Sequence, residues 1–181
     1  MHRFDATWIL LVYTVPSQPT RKRALVWREL KKIGAVYLRD GVAVLPEQPD
    51  TRDAFQSLAA KIEAMSGRAS VVTGAAMEAD ATNSVIAEAQ AARAAEYDDI
   101  DREATAFLDH LEREAPHREL GFAELQALDA DIGKLRRWME QVRARDYCGA
   151  EQADKTRDLV ERCAHALETL GQRDANVDVA T

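Results

Sequence analysis

Ala35-Val36-Tyr37-Leu38-Arg39-Asp40-Gly41-Val42-Ala43-Val44-Leu45-Pro46 reads as a β-hairpin. Two short runs of apolar, β-branched and aromatic residues, 35–38 and 42–45, flank Arg39-Asp40-Gly41. Asp-Gly is a strong hairpin signal, because glycine accepts the positive φ that such turns demand. Pro46 and Pro49 punctuate the exit. What stands on either side of this hairpin decides the topology.

Upstream, residues 6–15 form a continuous run, Ala-Thr-Trp-Ile-Leu-Leu-Val-Tyr-Thr-Val, with the pattern of a buried strand. Pro16 and Pro19 close it. Thr20 can cap a helix, and residues 21–33 have helical spacing. That spacing predicts Trp27, Leu30 and Ile33 facing inward, joined by Ala24, with Arg21, Arg28, Lys31 and Lys32 falling away from that face. Gly34 ends the helix. Downstream, Asp50 or Thr51 starts a second helix with Ala54, Phe55, Leu58, Ile62 and Met65 inward. Gly67 stops it, and a last strand covers 69–73, followed by Gly74. The order β-α-β-β-α-β predicts an α+β fold of ferredoxin-like type, a four-stranded antiparallel sheet with both helices on one face. The other face then needs a cover, from a second copy or from the rest of the chain.

The rest of the chain is helical. From about 80 to 114 it is rich in alanine and free of proline and glycine, which predicts one helix of about 50 Å at roughly 1.5 Å per residue. Tyr97, Ile100, Ala104, Phe107 and Leu111 repeat at alternating spacings of three and four, and Pro116 and Gly121 mark a turn. A second long helix, about 122–146, carries a coiled-coil-like seam of Leu125, Leu128, Ile132, Leu135, Met139 and Val142. Trp138, beside Arg136 and Arg137, is expected to pack its indole into the bundle while the arginines meet acidic neighbours or solvent. After Gly149, a third helix at about 151–170 presents Leu159, Cys163, Leu167 and Leu170. Short turns between amphipathic helices predict an antiparallel helical bundle. The expected division is a ferredoxin-like domain at 1–75, a bundle at 80–171 and a flexible tail at 172–181. The uncovered sheet face and the seam together predict a two-fold homodimer.

Apolar residues make up 46% of the 181 and charged residues 30%, ordinary globular usage. No apolar run approaches twenty residues, and Trp8–Tyr13 is too short for a span and lacks a signal-type cleavage site. A cytoplasmic protein without a membrane partner is expected. Cys148 and Cys163 make no disulfide framework and read as reduced thiols. The net charge of −7 hides a division. Residues 1–75 hold 11 Lys and Arg against 7 Asp and Glu, a balance of +4, and the remainder stands at −11. The first part is therefore the one expected to meet an anion.

Enzyme signatures are missing from the sequence. There is no glycine-rich phosphate loop and no Gly-x-Ser-x-Gly elbow. His2, His110, His117 and His165 are scattered, and Cys163 and His165 are two apart on a helix, pointing in different directions. The acidic run Glu96, Asp98, Asp99, Asp101 and Glu103 reads as a solvated helix face. Small ferredoxin-like nucleases hold metal on a carboxylate near the end of the first strand. Here that strand ends Tyr13-Thr14-Val15-Pro16, with Asp5 only before its start. No catalytic residue, metal ligand or cofactor is expected. The segment that does suggest function is residues 21–32, where Arg21, Lys22, Arg23, Arg28, Lys31 and Lys32 put six cations on one helix and its entry. Such a patch can grip phosphates or a small oxyanion. No helix-turn-helix signature names a base-reading element.

The chain also resembles the N-terminal region of the ChrB chromate-resistance proteins. The resemblance rests on Trp8–Pro16, on Arg21 through Pro46 with Trp27-Arg28-Glu29-Leu30 and Arg39-Asp40-Gly41, and on helical stretches further along. Those are Glu96-Tyr97, Phe122–Leu125, Lys134–Trp138 and Arg143–Ala150, so that nearly the whole chain from Trp8 to Leu170 is covered. The resemblance implies a chromate-responsive transcriptional regulator that binds DNA and senses an oxyanion shaped like sulfate. The first domain also resembles the module of PaaX-type repressors, which implies dimerisation. Longer members continue into a C-terminal domain before which this chain stops, which implies a stand-alone form doing part of the family's work. Two functions follow as expectations: a DNA-binding regulator of oxyanion resistance, or an oxyanion-binding or protein-interaction module without its own DNA specificity. Chromate reduction through Cys148 or Cys163 is a third and more distant reading.

Overall fold

The computed structural model describes residues 7–16, 20–114 and 121–178. His2, Asp5, Ala6, Pro19, Pro116, His117 and residues 179–181 lie outside the described residues. The chain divides into two compact units, Met1–Ala89 and Gln90–Thr181.

In the first unit the elements follow the expected order: β1 (Trp8–Thr14), α1 (Thr20–Lys32), β2 (Val36–Arg39), β3 (Val42–Pro46), α2 (Pro49–Ala64) and β4 (Arg68–Ala75). The sheet runs β2-β3-β1-β4, every neighbouring pair antiparallel. The most apolar strand, β1, thus lies inside the sheet. The hairpin turns at Gly41, whose φ is +75° and whose carbonyl accepts a 2.7 Å hydrogen bond from the Tyr13 N–H. A Cβ there would stand 2.5 Å from the Tyr13 carbonyl oxygen, so glycine is required twice over, for conformation and for space. Helix α2 starts at Pro49, where the buried Thr51 hydroxyl accepts from the Gln48 N–H at 2.9 Å and donates to the Pro46 carbonyl at 2.7 Å.

Alternation along the strands splits the sheet into two faces. Ile9, Leu11, Ala43 and Leu45 point to the helices, where Val26, Leu30, Phe55, Leu58 and Ile62 are also buried. Trp8, Leu10, Val36 and Val44 point the other way. The cover for this second face comes from the chain itself. Val85, Ile86 and Ala89, in the first turns of α3 (Ala79–Glu114), pack against Trp8, Val36 and Val44. The first unit therefore runs on through Ala89, past the expected boundary at 75–80, because a sheet face bearing Trp8 has to be buried. The cover is partial: Val12, Leu38 and Val72 remain exposed at 42%, 39% and 44%.

The second unit holds the remainder of α3, then α4 (Phe122–Arg143) and α5 (Ala153–Asp178). Its core joins Tyr97, Ile100, Ala104, Phe107 and Leu111 of α3 to the α4 seam. Leu128, Ile132, Leu135, Met139 and Val142 are all buried within this one chain, so the seam is satisfied without a second copy. On α5 the buried stripe is Val160, Cys163, Ala164 and Leu167; Leu159 and Leu170, expected inside, sit on its shoulder half-buried. Trp138 packs against this core half-buried, while Arg136 donates to Glu161 at 2.9 Å and Arg137 is exposed. The helix expected to end near 170 continues to Asp178, since nothing after Gly171 breaks it. Among the described residues no helix is long and apolar enough to cross a membrane.

Candidate anion-binding surface

Helix α1 buries only Val26 and Leu30. Its phase is turned from the one expected from sequence. Val26 and Leu30 are buried, Lys22 and Ile33 are half-buried beside them, and Ala24 and Trp27, expected inward, are exposed, Trp27 at 52%. The apolar residues of the helix occupy a wide arc, and the sheet accepts the branched pair Val26 and Leu30 in place of the larger indole.

This rotation separates the six predicted cations. Lys22 turns inward, and its ammonium donates to the Met65 carbonyl at 2.7 Å, satisfying a free carbonyl at the C-terminal end of α2. Arg21, Arg23, Arg28, Lys31 and Lys32 are exposed. Among the described residues none of these five is in an ion pair. The one carboxylate of the helix, Glu29, is taken by Lys61 of α2 at 2.6 Å. That hydrogen bond is the main reason its pKa lies below the ordinary carboxylate value; Lys32 and Arg28 add to the effect. Trp27 stands among the cations, with the Lys31 ammonium 5.2 Å from its ring centroid, in cation–π range.

Beside this face is a cleft of about 400 Å³ lined by Arg23, Val26 and Trp27 of α1 and by Tyr13, Tyr37 and Asp40 of the sheet. The Tyr37 and Tyr13 hydroxyls are hydrogen-bonded to each other, and burial raises the pKa of both. The surface as a whole offers exposed positive charge, one aromatic platform and neutral phenols. That chemistry suits a polyanion bearing aromatic rings.

The second unit contains a polar cluster that the sequence reading passed over. Arg93 of α3 is only 5% exposed, and its guanidinium meets Glu96 at 3.3 Å. Arg145, in the loop after α4, donates to the other oxygen of Glu96 at 2.7 Å. In the same loop Asp146 accepts from the Tyr97 hydroxyl at 3.2 Å and from the Ala150 N–H. The Gln90 amide donates to the Cys148 and Gly149 carbonyls. Burial lowers the pKa of Arg93, and Glu96 opposes that shift. The available signal was the spacing Gln90, Arg93, Tyr97, which places polar groups on the same face as the core residue Tyr97. Glu96, expected on a solvated face, belongs to this cluster instead.

The two thiols are buried and unpaired. Burial pushes Cys148 up to about 11, with Asp146 adding to the shift, and raises Cys163, whose Sγ donates to the Ala104 carbonyl at 3.3 Å. Among the described residues no three His, Cys, Asp or Glu side chains converge as metal ligands.

The family model described as "Protein ChrB, N-terminal" matches residues 23–177. The "Protein ChrB" of Cupriavidus metallidurans is 36% identical over 64 residues, which is 35% of this chain and 20% of that protein. The match therefore spans about a fifth of the length of this curated relative.

Proposed function

The chain belongs to the family of ChrB N-terminal domains, and from that membership we propose that it is a DNA-binding transcriptional regulator linked to chromate resistance. The observation that carries the reading is the outer face of α1. Arg21, Arg23, Arg28, Lys31 and Lys32 stand there exposed and, among the described residues, outside any ion pair, with Trp27 among them. Packing does not require these cations, so a partner is the economical reason for their presence. An acidic protein approaching DNA must turn its basic face inward, and the first 75 residues carry the positive balance. The protein is read as cytoplasmic and as a two-fold homodimer. The dimer retains one support, the exposed trio Val12, Leu38 and Val72. A binding role is preferred to chromate reduction, because buried thiols with raised pKa hold little thiolate at neutral pH.

The test is binding to the DNA upstream of its own gene across a salt series. Phosphate-dominated binding weakens with salt at a log–log slope of about −0.9 per phosphate neutralised. Arg21→Ala with Arg23→Ala is expected to flatten that slope by roughly two units. Equal slopes and equal affinities would reduce α1 to a solvated surface. The second reading, an oxyanion-binding or protein-interaction module without its own DNA specificity, draws on the cleft beside α1 lined by Arg23, Trp27, Tyr13 and Tyr37.

A further inference from the structure

We propose that the cleft beside α1 is a binding site for a guanine base, which stacks on Trp27 and sets its N1–H and 2-amino edge against Asp40. The inference goes beyond the DNA reading above and does not require it. It concerns a single base, from a free nucleotide or from an unpaired position in a strand.

The cleft lies wholly within the first unit and holds about 400 Å³, a size usual for small-molecule sites. Val15 and Val26 give it apolar wall, and Arg23, Trp27, Tyr37 and Asp40 bring the chemistry. Two of these carry opposite charges. Among the described residues Arg23 and Asp40 are nonetheless in no ion pair, with each other or with any neighbour. A cation and an anion that line one cleft without meeting leave room for a ligand that offers an acceptor to the first and donors to the second. Asp40 is close enough for its charge to raise the pKa of Tyr13, on the wall of the same cleft. The hairpin does not call for that carboxylate, since Gly41 supplies the positive φ. Trp27 adds a π surface, 52% exposed, with the Lys31 ammonium 5.2 Å from its centroid to favour a ligand that carries phosphate. The Tyr13 and Tyr37 hydroxyls share one hydrogen bond, which uses one of their two O–H protons and leaves the other for an acceptor.

Hydrogen-bond pattern selects the base. An ionised carboxylate presents two acceptor oxygens side by side and no donor. Guanine is the base whose pairing edge carries two adjacent donors, N1–H and the 2-amino group. Adenine and cytosine place an acceptor ring nitrogen beside their amino group, which a carboxylate repels. Thymine and uracil offer one N–H between two carbonyls. On its other edge guanine presents O6 and N7, the acceptors that arginine pairs with. Stacking on an exposed aromatic ring tolerates every base, so Trp27 supplies affinity and Asp40 supplies the choice.

The experiment is equilibrium dialysis of the full chain with labelled GMP, AMP, CMP and UMP. GMP is expected to bind at least about tenfold tighter than the other three, which leave the Asp40 carboxylate short of donors. Trp27→Ala should weaken GMP about tenfold. Asp40→Asn keeps the turn, since Asn-Gly suits the same hairpin. This variant should lose the preference for GMP and gain one for xanthosine monophosphate, whose 2-carbonyl accepts from the new amide while its N1–H donates to the amide oxygen. An Asp40 that served only the turn would produce no such exchange. Short single-stranded oligonucleotides with and without guanine form a second arm. Guanine-containing strands that bind far better than GMP assign the base to nucleic acid, and GMP matching them assigns a free nucleotide. No guanine preference among either the nucleotides or the strands would overturn the site. So would an Asp40→Asn protein that still prefers GMP to xanthosine monophosphate. The wild-type order of preference decides the matter even if that variant fails to fold. The phosphate grip of α1 is reported separately, by the salt series on duplex DNA.

Discussion

Trp27 and Lys31 lie one turn apart on the outer face of α1, the Lys31 ammonium 5.2 Å from the indole centroid. An indole that sequence alone places in the core is thus part of the charged surface. Removing it should leave the fold almost untouched. Trp27→Ala is expected to change unfolding free energy by less than about 1 kcal/mol, the scale of an exposed cation–π contact. Leu30→Ala, at a fully buried position, should cost about 2–5 kcal/mol. Urea unfolding of the two variants side by side checks the ordering, and equal losses would return Trp27 to the core.

Lys22 is the one cation of the six whose role is structural. Its hydrogen bond to the Met65 carbonyl ties the start of α1 to the end of α2. Lys22→Met should therefore lower stability by about 0.5–1.5 kcal/mol. The slope of DNA binding against salt should move less than it does for Arg21→Ala. A variant with full stability and a flattened slope would place Lys22 with the phosphate-facing cations instead.

Gly41 tests the hairpin on which the topology turns. Alanine there must hold φ near +75° and put its Cβ 2.5 Å from the Tyr13 carbonyl oxygen. Both demands are unfavourable, and Gly41→Ala is expected to cost at least about 1–3 kcal/mol. The obstacle is backbone, which cannot swing aside as a side chain can. A thermal midpoint within a degree of wild type would show that the turn relaxes.

High pH should loosen the second unit first. Cys148 is pushed up to about 11 and Tyr97 to about 12, both mainly by burial. A raised pKa means that the folded state holds the proton more tightly than the unfolded chain does. The stability this confers is full below the unfolded values near 9 and 10 and is lost as pH rises through the folded ones. Stability is expected to fall between about pH 9 and 12, approaching 1.4 kcal/mol per pH unit for each group in its window. Cys148→Ala should shallow the lower part of that decline. An unchanged profile in this variant would show that Cys148 titrates as a solvent-exposed thiol.

Much of the fold was legible in local pattern. The apolar run of β1, the Asp40-Gly41 turn and the alternation of breakers with helical spacing define the β-α-β-β-α-β order, and that order admits few sheet arrangements. The α4 seam was legible for the same reason, since a strict three-four repeat has one face to bury. The phase of α1 was not legible. Its apolar residues span too wide an arc to single out a centre, and the partner that draws Lys22 inward lies 43 residues away.

The sequence by itself determined the elements, their order and the presence of a basic helix, because helix and strand periods are properties of neighbours along the chain. Tertiary structure alone decided three further things: that α3 lends Val85 to cover Trp8, that Trp27 faces outward among cations, and that Arg93 is buried against Glu96. Each depends on which surfaces meet. Burial and hydrogen-bond satisfaction are settled by packing between segments distant in sequence, and no local repeat encodes them.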